Sequence, residues 1–205
     1  LLDTLMLEGA TITIDAMGCQ KNIFKKIVAK QADYILQVKN NQKGLLAQIE
    51  KVFSLTPGTD VHQTQELDHG RVEQRTCTVV EDLTLLDDDH GWPGLATLIR
   101  IEAQRTEKQS GKTTTSTRYY ISSKKEKARI FNANIRAHWR IENNLHWMLD
   151  VLFKEDARGY SAENFSIINK MALTLIERNT DKIPKSQKIQ RATYNSQYRE
   201  KLLNF

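Results

Sequence analysis

The stretch ATITIDAMGCQKNIFKKIVAKQADYILQVK, residues 10–39, decides the fold. Its opening, ATITIDA (10–16), is rich in β-branched side chains and stands between Gly9 and Gly18, which reads as a short buried strand ending at Asp15. Residues 20–31 then set Ile23, Ile27 and Val28 at helical spacing among Lys21, Lys25, Lys26 and Lys30, the pattern of an amphipathic helix covering a sheet. DYILQVK (33–39) returns to strand. Strand, helix and strand make a βαβ unit, which chain sterics turn into a right-handed crossover within a parallel sheet, so the class is α/β. Ligands of such sheets gather at the carboxyl ends of the strands. Asp15 lies at that end of the first strand and Lys39, Asn40, Asn41 and Gln42 at that end of the second, so both groups face one crevice.

Downstream, Leu45, Leu46, Ile49, Val52 and Phe53 form the apolar stripe of a helix from about Gln42 to Leu55, which Pro57-Gly58 ends. Residues 71–81, 95–104 and 113–122 are strand-like, with His69-Gly70-Arg71 reading as a hairpin turn and Trp92 as packing. From Lys124 to about Glu155 the period is helical again, with Ile130, Ala137, Ile141, Leu145, Met148 and Leu152 on one face. Ser161 caps a helix carrying the run Phe165 to Ile176, and a basic tail after Pro184 leads to a short final helix near 195–203. The organisation expected is a strand-helix-strand part (1–58), a β-rich insertion (59–123), a long helix with a following core helix (124–180) and a basic tail (181–205). Leu1, Leu2, Leu5, Met6 and Leu7 read as the tail of a structure already under way, as in a fragment.

Of 205 residues 40% are hydrophobic, enough for a substantial core, and no apolar run approaches the roughly 20 residues of a membrane helix. Cys19 and Cys77 stand alone, outside any metal-ligand spacing, which fits a reducing, cytoplasmic compartment. The net charge is +5, but from Arg100 to Arg140 eleven Lys or Arg stand against three Glu. Such a block suits a polyanion, most commonly nucleic acid, and equally suits a solvated surface.

His138, Glu142, His146 and Asp150 follow at four-residue spacing and so share one stripe of the long helix, beside the apolar one. An ordinary polar helix face is one reading of this stripe, and a zinc site is another, although the order lacks the spacing of zinc-protease helices. A third reading makes Glu142 the partner of Asp15 at a magnesium site, and it accounts for more. Magnesium takes oxygen ligands, keeps several waters and is held by one or two carboxylates together with substrate phosphates.

The phrases ITIDAMGCQ (12–20), DYILQVKNNQ (33–42), DHGRVEQRT (68–76), RYYISS (118–123) and HWRIENNLHWMLDVLFKEDA (138–157) resemble the H-repeat-associated transposases of bacterial insertion sequences, within the DDE group. The resemblance covers roughly residues 1–180. It implies an RNase H-like fold, here incomplete, with a β-rich insertion before the last catalytic helix. It further implies DNA strand cleavage and strand transfer by phosphoryl transfer with Mg²⁺ or Mn²⁺, on DNA at transposon ends and target, and admits a homo-oligomer in the synaptic complex. Asp15 takes the place of the family's second catalytic, metal-holding carboxylate and Glu142 that of the third. Lys39, Asn41, Gln42, Arg71, Arg136, His138, Arg140 and His146 are the candidates for DNA contact.

The sequence also departs from its relatives. The Tyr, Arg and Lys that flank the last carboxylate in related transposases are replaced by Ile135, His138 and Leu149. The first carboxylate belongs to an opening strand that would precede Leu1, so two of three ligands are expected in this chain. A non-catalytic, DNA-binding remnant of a decayed transposase is the alternative function.

Overall fold

Thr11–Ile14 forms β1, Lys21–Ala29 forms α1 and Asp33–Val38 forms β2, with the two strands parallel and Thr11 opposite Asp33. The parallel βαβ pairing expected from residues 10–39 is therefore present. The computed structural model describes residues 2–18, 20–68, 70–86, 91–141, 147–153 and 162–203. The chain divides into two units, residues 1–138 and 139–205, described in turn.

After α2 (Lys43–Leu55) come β3 (Asp60–Asp68), β4 (Arg71–Val80), β5 (Thr97–Glu107) and β6 (Thr113–Ser122). They join β1 and β2 in one six-stranded sheet of order β1-β2-β6-β5-β4-β3, antiparallel everywhere except between β1 and β2. Strands β4, β5 and β6 match the three strand-like segments, and β3 meets β4 with Asp68 opposite Arg71, as the hairpin reading requires. Strand β3 itself was not expected. Its sequence DVHQTQELD has no apolar face because it lies at the sheet margin, where Val61 and Leu67 are exposed and flanking carboxylates discourage further pairing.

The reading of β1 as a buried strand needs correcting: all four of its residues are only half-buried. Among the described residues β1 has a partner on one side alone. Strand β2, paired on both sides by β1 and β6, carries instead a continuous buried run, Tyr34 to Val38.

Registers sort the side chains onto two faces. Tyr34, Leu36, Val38, Val80, Leu98 and Ile121 pack with Phe24 and Ile27 of α1 and Leu45, Ile49, Val52 and Phe53 of α2, and Trp92 is buried among them. Phe24 meets Tyr34 and Trp92 edge-on at 5.0 and 5.1 Å. The other face carries Ile35, Cys77, Val79, Ile99 and Ile101, with Cys77 opposite Ile101 and Val79 opposite Ile99. Helix α3 (Ala128–Ile141) lies against that face: Asp60 Oδ2 accepts from the Ala128 N–H at 2.7 Å, capping the helix, and Asn132 Nδ2 meets His62 Nδ1 at 3.3 Å. Burial pushes the Cys77 thiol up to about 12, with Asp60 adding to the shift, so it remains a neutral core group rather than a ligand.

Gly58, between α2 and β3, has φ +91°, and a Cβ there would strike Thr78 Cγ2 at 2.5 Å. Gly58→Ala is expected to cost about 1–3 kcal/mol by urea denaturation, since both backbone conformation and space oppose it. A loss under a few tenths would mean that the turn relaxes freely.

In the second unit, α4 (Trp147–Leu152) and α5 (Ala162–Arg178) bring Met148, Leu149 and Leu173 together. Ile176 of α5 packs with Tyr198 and Leu202 of α7 (Ser196–Leu203), flanked by Ile189 and Ala192 of α6 (Lys185–Tyr194). The sequence reading missed α6, whose only apolar packing positions are those two in an otherwise polar helix. Buried Lys188 donates to the carbonyls of Ile176 and Asn179, at 3.3 and 2.5 Å, and so closes the end of α5. The long helix expected over 124–155 is represented by α3 and α4. Residues 142–146 and 154–161, including Glu142, His146 and the cap at Ser161, lie outside the described residues. Among the described residues no helix is long and apolar enough to cross a membrane.

Candidate active site

Strand β1 ends at Ile14, and the chain turns at once into a single 3-10 turn, Ala16–Gly18, closed by the Gly18 N–H donating to the Asp15 carbonyl at 3.0 Å. A Cβ on Gly18 would collide with Ile14 Cγ2, so this tight turn needs glycine. The turn leaves Asp15 just past the strand, its carboxylate Oδ1 accepting from the Ala16 N–H. The loop after β2 is tied to it: Asn41 Nδ2 donates to the Ala16 carbonyl at 2.7 Å, and Lys39 Nζ stands 3.5 Å from Asp15 Oδ1. The side chains of Lys39 and Asp15 are 51% and 41% exposed, so this pair is solvated and contributes little to stability while keeping both groups reachable.

These groups open on a cavity of about 590 Å³ lined by Asp15, Lys39, Asn40, Asn41, Glu50 and Arg118, with Tyr119 beside them. The expected crevice at the carboxyl ends of β1 and β2 exists, and Lys39 and Asn41 face it with Asp15. Gln42 is not among its lining residues; its N–H donates to the Lys39 carbonyl at 2.9 Å. Glu50, Arg118 and Tyr119 are additions that the sequence did not reveal. Arg118 and Tyr119 reach the site only because β6 pairs with β2, Tyr119 opposite Val38, a long-range choice with no local signal. Burial raises the Tyr119 hydroxyl pKa, and the Glu50 carboxylate raises it further.

Helix α3 meets β1 at one defined point: His138 Nδ1 and Thr13 Oγ1 are hydrogen-bonded at 3.0 Å, two residues before Asp15. The other candidates lie apart. Arg136 is engaged by Glu66 at 2.5 Å and Glu73 at 3.8 Å, away from the Asp15 crevice, and Arg71 pairs with Glu107 at 4.0 Å on the hairpin. Ile135 and Leu149 are buried core residues. Glu142 and His146 fall outside the described residues, and the Arg140 side chain is likewise not described.

The donor set at the crevice is oxygen-rich. Among the described residues the Asp15 and Glu50 carboxylates open on it without cysteine or histidine, which suits a hard cation such as Mg²⁺ better than zinc. Among the described residues no group of three or more His, Cys, Asp or Glu stands close enough to hold a metal ion.

Comparison with known proteins bears on the same residues. The chain matches the transposase DDE domain over residues 1–176, which takes in both Asp15 and Glu142. It is similar to "Putative transposase YncI" of Escherichia coli O157:H7, 43% identical over 216 residues that cover 99% of this chain and 55% of that protein. It is also similar to "H repeat-associated putative transposase YhhI" of Escherichia coli (strain K12), 37% identical over 214 residues covering 97% of this chain and 56% of that protein. The chain thus spans a little over half the length of these relatives. With the match running from its first residue past the strand of Asp15, the helix of His138 and the position of Glu142, the chain belongs to the transposase DDE domain family.

Proposed function

We propose that the protein acts as the DNA transposase of a bacterial insertion sequence, cutting strands at transposon ends and joining them to target DNA by divalent-metal-dependent phosphoryl transfer. The observation that carries this reading is the Thr13–His138 hydrogen bond. It fastens the strand leading into Asp15 to α3, and Glu142 follows His138 by four residues in the sequence.

Asp15 and Glu142 are the carboxylates that would hold Mg²⁺ or Mn²⁺. When bound, the ion supplies Lewis-acid polarisation of the phosphate and lowers the pKa of the attacking hydroxyl. Lys39 and Asn41 would hold the strand at the crevice beside Arg118, with Gln42 bracing the same loop through its N–H to the Lys39 carbonyl. In the first step a water oxygen attacks phosphorus and the bond to the 3′-oxygen breaks, that oxygen taking up a proton. In the second step the freed 3′-hydroxyl attacks a target phosphodiester, loses its proton and displaces the target's own 3′-oxygen. Binding energy and alignment are what the chain's residues contribute to both steps.

Within this proposal the β1-α1-β2 unit belongs to an RNase H-like core, residues 59–123 are the insertion, 124–180 hold the catalytic helix with its following helix, and 181–205 form a basic tail. A cytoplasmic location and a second copy in the synaptic complex are part of the same proposal. The test uses the intact protein and a duplex carrying transposon ends. Magnesium should produce nicks with 3′-hydroxyl termini and, with target DNA present, joined products, whereas chelation should abolish both. Equal cleavage with and without chelator would sink the reading.

A further inference from the structure

Strand β4 places Glu73, Arg75, Cys77 and Val79 on the sheet face covered by α3, and most of that face is apolar. Arg75 is an intruder there: it is 4% exposed, and its Nε and one terminal nitrogen are buried without a hydrogen-bond partner among the described residues. The neighbouring carboxylates are engaged by other guanidiniums, Glu73 by Arg105 at 3.2 Å and Arg136 at 3.8 Å, and Glu66 by Arg136 at 2.5 Å. Burial and the charge of Arg136 both press against the charged form of Arg75, yet an arginine does not give up its proton in a protein. A buried, charged fork that lacks acceptors is costly, and a ligand that supplies them relieves the cost.

The place for such a ligand adjoins the side chain. Arg75 lines a cavity of about 330 Å³ between β3, β4 and α3, together with Arg129, Arg136, His62, Asn132 and Glu73. Three guanidiniums, an amide and an imidazole, with the carboxylates of Glu66 and Glu73 already engaged by Arg136 and Arg105, surround a space that shares no described lining residue with the Asp15 crevice. An arginine fork matches two oxygens of a tetrahedral oxyanion better than it matches any neutral group. The segment 100–140, which supplies α3 and two of these arginines, is the basic block of the chain.

We propose that this cavity is a second phosphate site, which seats one backbone phosphate of bound DNA on the Arg75 guanidinium, with Arg129 and Asn132 completing the cradle. The proposal rests on the transposase reading for its choice of DNA. It concerns positioning of the nucleic acid, away from the reacting phosphate.

The test compares wild type with Arg75→Met, Arg75→Lys and Arg129→Gln in the intact protein. Duplex binding is followed by anisotropy across a salt series, and melting temperature is read with and without inorganic phosphate at fixed ionic strength. Wild type should melt higher in phosphate, and Arg75→Met should lose that increment while melting no lower than wild type in chloride. Its DNA affinity should fall about 5- to 10-fold at moderate salt, with the slope of log affinity against log salt reduced by about one. Arg75→Lys, which keeps charge but not the fork, should fall between, and Arg129→Gln should weaken binding without changing the melting temperature. Should Arg75→Met fail to fold, Arg75→Lys and Arg129→Gln carry the same salt-slope criterion. A variant set that melts lower with an unaltered salt slope would make Arg75 a structural residue and overturn the site. Wild type that binds no DNA at all would instead remove the transposase reading beneath it.

Discussion

Asp15→Asn and Glu142→Gln, each made in the intact protein, are expected to lower DNA cleavage by at least about a thousandfold while leaving duplex affinity within about threefold of wild type. The asparagine retains an oxygen for the Ala16 N–H and roughly the volume of the carboxylate, so the turn that follows β1 should stand. What it removes is the negative charge that a divalent cation needs. Loss of the Lys39 contact, a solvated pair at 3.5 Å, is too weak to account for such a drop. End-point cleavage and anisotropy on the same preparations separate the two effects. Cleavage by either variant within tenfold of wild type would remove that residue from the metal-holding pair.

The largest effect on stability should come from Phe24. It is fully buried between α1 and the sheet and makes edge-to-face contact with both Tyr34 and Trp92. Phe24→Ala removes an aromatic ring from a close-packed place and leaves a cavity that those two rings cannot readily fill. The expected loss is about 3–5 kcal/mol, read as a shift of the urea midpoint of the first unit. A shift equivalent to less than about 1 kcal/mol would show that the cluster collapses around the gap and is looser than its geometry implies.

Much of the fold could be read from residues 10–55 because there local pattern and final environment agree. The α1 stripe, the short strands and the breaker at Pro57-Gly58 each announce one element, and the parallel pairing of β1 and β2 follows from the helix between them. That unit also brought Asp15, Lys39 and Asn41 to one crevice without knowledge of any contact. Legibility fails where the environment is set by distant chain. β1 has the composition of a buried strand and lies half-buried at the sheet's edge, and β3 is a strand by its pairing with β4 although its residues show no apolar alternation. Helix α6 is too polar to declare itself, Arg118 and Tyr119 join the crevice only through the β2–β6 pairing, and Glu50 joins it from α2. Arg75 stands in a segment correctly read as a strand, but nothing nearby in sequence distinguishes it from the exposed Arg71 four residues earlier. Arg136, a candidate for DNA contact, is turned toward β3 and β4 by the register of α3, away from the Asp15 crevice.

Among the described strands, helix α3 ties β3 to β1. Its first N–H and the side chains of Asn132 and Arg136 are anchored to β3, and His138 is anchored to β1 at the far side. Fourteen residues of α-helix form a stiff rod about 21 Å long. A push on β4, such as DNA settling against Arg75 would exert, reaches Arg136 through Glu73 and so has a lever to the strand that presents Asp15, bypassing the three strands between. The rod works equally in reverse, so strand β1 cannot shift without tugging on the opposite edge.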